Sequence, residues 1–178
     1  AHIITAILTA IPPTVLMLVM VGSEDTIAGS EVGNRILNET PQIPGSNKEL
    51  VTMVSDYHGE PPLIADHFAP VAPAEGYGIA DLFGTEVDAM DFYGFWKLFD
   101  GLLDAAFFGQ NRQYALGNTP EQRFMGIWSD GVPVQELVSN KELLPQNGTK
   151  SNWIVPVAIG ATAFALWYSF RQNKRRLA

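Results

Sequence analysis

Hydrophobic and polar positions fall into four blocks along the chain. Residues 1–22, AHIITAILTAIPPTVLMLVMVG, are almost wholly apolar and are broken only by Pro12–Pro13. A proline pushes the preceding residue out of the α region, so this block predicts either two short apolar helices with a kink, seated in a membrane or against a partner, or a single membrane span. From Gly22 to Gly84 the pattern holds no period for more than a few residues, and six prolines fall between Pro41 and Pro73. This stretch predicts extended coil with short helices at 46–55 and 79–83. Next, MDFYGFWKLFDGLLDAAFFGQN predicts an amphipathic helix near 91–108. Phe92, Phe95, Trp96, Phe99, Leu102 and Leu103 share one broad face; Lys97, Asp100 and Asp104 mark the other, and Gly109 ends it. The last block, Ser151 to Phe170, carries no charge. At about 1.5 Å per residue it reaches about 30 Å, the hydrocarbon thickness of a bilayer.

These blocks predict a mostly α chain with extended coil and little or no sheet. An N-terminal apolar segment (1–22) leads to an acidic, proline-rich extramembrane region (23–150). A transmembrane helix (151–170) and a basic tail (171–178) follow. Within the span, Ala158, Ala161 and Ala165 form a small-residue side that favours close approach of another helix. With the stripe of Phe92, Trp96 and Phe99, it makes up the expected partner-binding surface.

Charge sharpens this picture. All 19 acidic residues lie between Glu24 and Glu142, whereas Arg171, Lys174, Arg175 and Arg176 follow the apolar block directly. A basic flank marks the cytoplasmic, stromal or matrix side, which puts the acidic region on the opposite face. An acidic body is the wrong sign for a nucleic-acid backbone, so no nucleic-acid partner is expected. The chain has no cysteine, which excludes thiolate catalysis, disulfides and Cys-ligated metals.

Candidate chemistry is sparse. Asp56-Tyr57-His58-Gly59-Glu60 and Asp66-His67 gather the titratable groups. His58 and His67 are the candidate ligands for a metal or for a tetrapyrrole pigment such as chlorophyll supplied by a host complex. Ser129-Asp130 lacks a local histidine, and GNTPEQRFMG lacks the lysine of a phosphate-binding loop. Thr119-Pro120 with Gln122 predicts a helix start, and Ser129-Asp130-Gly131 a turn.

The run from Asp91 to Val134, above all ALGNTPEQRFMGIWSDGVPV, resembles a C-terminal tail segment of some α/β-hydrolases. It covers about a quarter of the chain. It contains no catalytic motif, there is no G-x-S-x-G turn, and 178 residues with two apolar ends leave no room for that fold's parallel sheet. The resemblance implies a shared docking segment and carries over no activity.

Together these readings predict a non-catalytic accessory subunit of a large membrane complex. The first expectation is a photosystem, with the acidic region in the thylakoid lumen and the C-terminus stromal. A respiratory complex of the mitochondrial inner membrane is the alternative. A membrane-anchored extracytoplasmic domain related to hydrolases is the alternative of a different class. The expected partners are the bilayer and the other subunits.

Overall fold

The computed structural model describes residues 8–71 and 86–141. Strand β1 (Met17–Gly22) leads through helix α1 (Glu31–Asn38) to strand β2 (Lys48–Met53), which lies parallel to β1 with Met17 opposite Lys48 and Gly22 opposite Met53. A two-residue strand, β3 (Val138–Ser139), pairs antiparallel on the far side of β2, giving the order β1-β2-β3. The apolar run MLVMVG therefore folds as a strand, not a helix. Parallel strands covered on both faces read as continuous hydrophobic runs with no alternation, and β1 is of this kind. β2 is central: Glu49, Leu50, Val51 and Met53 are all buried. Its ELVTM core is short and rich in β-branched residues, which favours strand over the helix predicted for 46–55.

Helix α1 covers this β-α-β unit closely because Gly33 lacks a side chain. A Cβ there would stand 2.9 Å from Val19 Cγ1 and 3.3 Å from Leu50 Cδ1. Leu37 fills the next turn of the same face and is buried. The expectation of little or no sheet is thus overturned.

The second half begins with a π-helical turn, Met90–Trp96, that runs directly into helix α2 (Lys97–Phe108). Gly109 ends α2 in the left-handed region at φ 66°, as the sequence predicts. The most buried line is shifted from the predicted face. Met90, Asp91, Gly94, Lys97, Leu98 and Gly101 are buried, while Phe92 is 36% exposed, Trp96 and Phe99 are half-buried and Phe95 packs half-buried against the core. The small residues decide this, since Gly94 lets Met53 and Met125 approach and Gly101 faces Tyr114 and Ala115. Phe92 packs edge-on against Trp96 at 4.7 Å between ring centroids.

Lys97 points inward. Its Nζ donates to the carbonyls of Gln122 (2.8 Å) and Phe124 (2.5 Å), closing the C-terminal end of helix α3 (Pro120–Arg123). Burial pushes the amine down to about 7, with Glu136 opposing. Burial likewise pushes Asp91 up to about 6. Helix α3 starts as predicted, with Thr119 Oγ1 accepting from Gln122 N at 3.1 Å. The core joins both halves through Val51, Met53, Leu63, Ala65, Met90, Leu98, Met125, Val134 and Leu137.

Among the described residues no helix is long and apolar enough to cross a membrane. The mostly helical, membrane-anchored architecture is corrected, among the described residues, to a mixed three-stranded sheet with three α-helices. The integral-membrane placement loses its support, and with it the thylakoid and mitochondrial locations and the photosynthetic assignment. The expected span 151–170, its Ala158, Ala161 and Ala165, and the short helix expected at 79–83 lie outside the described residues.

Candidate acid–base site

Both β1 and β2 end at the same edge of the sheet, and the loops that leave them there are tied together. Ser23 N donates to Met53 O (2.9 Å) and Glu24 N to Ala65 O (3.0 Å). Ser55 N donates to Ser23 Oγ (3.0 Å), and Ala65 N to Ser55 Oγ (2.9 Å). Gly22 allows this contact, because a Cβ on it would collide with the Ala65 carbonyl. The loop after β2 returns on itself through a bridge between Asp56 and Leu63, then delivers Ala65, Asp66 and His67 beside the loop after β1.

The outcome is a carboxylate–imidazole pair. Asp25 Oδ2 lies 3.0 Å from His67 Nδ1, with the Asp25 side chain 13% exposed and that of His67 42% exposed. The other oxygen, Oδ1, accepts from Ile27 N (2.9 Å) and Ala28 N (2.8 Å). The Ala28 N–H and then the His67 contact hold the Asp25 carboxyl below its ordinary value. Asp25 is therefore an ionised, fixed acceptor. A carboxylate on Nδ1 keeps the proton of the neutral ring there and leaves Nε2 with a lone pair for proton transfer. None of the hydrogen bonds among the described residues joins a hydroxyl to His67.

His58 forms a second pair, with Nε2 at 2.7 Å from Asp130 Oδ2, but both side chains are substantially exposed, at 41% and 55%. Its hydrogen bond lowers the Asp130 carboxyl. The neighbouring Asp56 is structural. Its Oδ2 accepts from Trp128 Nε1 (3.0 Å) and Gln135 N (2.9 Å), and its Oδ1 from His58 N (2.9 Å). Burial works against its charge, and these donors outweigh burial and hold the carboxyl low.

A cavity of about 210 Å³ opens beside the first pair. Its walls include Asp25, Asp66 and His67 together with Met20, Met53, Ala65 and Phe95. It sits at the carboxyl ends of adjacent parallel strands, the position at which open α/β sheets bind ligands.

His58 and His67, read from the sequence as metal or pigment ligands, are each engaged by an aspartate 72 and 42 residues away. Among the described residues no three His, Cys, Asp or Glu side chains gather as a metal site. Sequence reasoning missed Asp25. Its signal is a continuous apolar run broken by Ser23-Glu24-Asp25, a strand that ends in a polar turn. The resemblance of 91–134 to a hydrolase segment has no counterpart in wider comparison: no family model, no curated protein and no solved structure matches the chain.

Proposed function

We propose that the chain carries the acid–base part of a hydrolase-type centre acting on acyl compounds, with His67 as general base and Asp25 as its orienting carboxylate. The carrying observation is the 3.0 Å contact of Asp25 Oδ2 with His67 Nδ1 at the carboxyl ends of two parallel strands. In this reading His67 Nε2 takes the proton of a hydroxyl or water as its oxygen attacks the acyl carbon. The same proton then passes to the leaving oxygen, and Asp25 stays ionised throughout.

Hydrolysis of p-nitrophenyl acetate by the full chain tests this. His67→Ala is expected to lose about 100-fold or more of the protein-dependent rate. His58→Ala should keep it, because that pair lies apart from the cavity. A His67→Ala chain as fast as the parent overturns the proposal.

A second reading, a non-catalytic accessory subunit of a larger assembly, is favoured by one observation. Phe107 and Phe108 at the end of α2 are 74% and 72% exposed. Native gel electrophoresis of material from its source separates the two: migration within a larger complex, together with no hydrolysis, supports the accessory role.

A further inference from the structure

Resting on the acid–base reading of His67, we infer that the cavity beside it seats a short, uncharged, apolar group, the acyl portion of a neutral ester. The walls carry the argument. Met20 and Met53 enter from β1 and β2, Phe95 from the π-helical turn, and Ala28, Ala65 and Pro70 from the two loops. Two methionines and a phenylalanine give a soft apolar lining that adapts to unbranched chains. Size sets the length. A dry apolar cavity of about 150 Å³ holds a benzene ring, so one of about 210 Å³ has room for a chain of roughly six carbons.

Charge sets the class. Among the described residues the ionisable groups in the wall are Asp25, Asp66 and His67, with no lysine or arginine. Asp25 is held ionised by its three donors, and Asp66 Oδ1 accepts from Phe68 N at 2.8 Å. A carboxylate ligand would meet two like charges and no cation. An uncharged group meets neither penalty and leaves its polar end at the His67 side of the wall.

The five methionines supply the test, since Met20 and Met53 line the cavity while Met17, Met90 and Met125 are not part of its wall. With methyl-labelled methionine in the full chain, hexanamide is expected to shift the Met20 and Met53 methyl resonances saturably and leave Met17, Met90 and Met125 in place. Hexanoate at pH 8 should bind at least about ten-fold more weakly. Ala28→Phe, at an exposed rim position, should weaken hexanamide by a similar factor. Phe95→Ala should shift the preference to octanamide. Shifts absent up to the solubility limit, or spread over all five methyls, overturn the subsite, and equal binding of hexanoate overturns its uncharged character. Failure of the acid–base reading is separable: hexanamide would still move both methyls while His67→Ala left ester hydrolysis untouched.

Discussion

Asp25 and His67, 42 residues apart in sequence, face each other through Oδ2 and Nδ1 while Asp25 Oδ1 is held by two backbone N–H groups. That division of labour makes Asp25→Asn informative. An asparagine has one oxygen, and Ile27 N and Ala28 N both require it, so its NH₂ must turn toward the imidazole. Nδ1 would then have to accept, which moves the ring proton to Nε2 and removes the base. Ring ¹⁵N shifts should report the Nδ1–H tautomer in the parent and the Nε2–H tautomer in the variant. The same tautomer in both chains would show that Asp25 does not orient the ring.

Gly22→Ala should weaken the fold and the site together. Its Cβ collides with backbone at Ala65, two residues before His67, and backbone cannot step aside as a flexible side chain can. Overpacking of this kind costs about 1–3 kcal/mol. Urea unfolding measures the loss, and the ¹⁵N shifts of His67 should show a weakened contact with Asp25.

Glu49 is fully buried on β2 and is met by Lys141 Nζ at 2.8 Å, Ser139 Oγ at 2.5 Å and Gly117 N at 2.6 Å. Burial opposes its charge, but these donors, Lys141 first, hold the carboxyl below its ordinary value. Its contribution is present above pH 4.5 and fades as pH falls through the lowered folded value. Lys141→Met removes the only cation of the set and should cost about 2–4 kcal/mol at pH 7, less at pH 4. Denaturant midpoints at the two values check both claims.

The two buried titratable groups of the α2 region predict opposite slopes of stability with pH. Folded Asp91 binds its proton more tightly than the unfolded chain does, with its value at about 6 against 3.8. Stability therefore falls between pH 4 and 6, by at most roughly 3 kcal/mol. Folded Lys97 releases its proton more readily, at about 7 against 10.5, so stability rises above pH 7. Asp91→Asn should flatten the first slope and Lys97→Met the second. Thermal melts from pH 4 to pH 9.5 would reveal either slope surviving its substitution.

Aromatic content is a poor guide to which residues stabilise α2. Phe107→Ser and Phe108→Ser, at side chains mostly in solvent, should change stability by no more than about 0.5 kcal/mol. Leu98→Ala, at a fully buried position, should cost about 2–5 kcal/mol. Equal losses at Leu98 and Phe107 would mean that the end of α2 is covered.

Local chemistry was legible in the sequence and pairing at a distance was not. The Thr119 cap, the Gly109 terminus and the turn closed by Gly131 N on Trp128 O each depend on a few neighbouring residues, and each forms as read. The strand Met17–Gly22 was obscured because a short apolar run has no period to separate strand from helix, and the apolar residues before it lent the length of a span. The buried side of the π-helical turn and α2 differs from the predicted one because hydrophobicity ranks Phe above Gly, whereas the packing there is set by how closely Met53 and Met125 approach Gly94 and Tyr114 and Ala115 approach Gly101. His67 was singled out as a ligand, yet its role rests on Asp25, which no local spacing connects to it.

The last strand has a consequence for how the chain is made. β3 closes the far edge of β2 through partners 90 residues away, Glu49 with Ser139 and Leu50 with Asn140. On the ribosome, β1, α1 and β2 emerge long before that edge can be covered. At about 5–20 residues per second the wait lasts several seconds or more. During it, Leu50 and Val51 sit on a strand with an open side, a template for pairing with another nascent chain. Chaperone occupancy of ribosomes should accordingly peak after β2 has emerged and decline once residue 141 clears the exit tunnel.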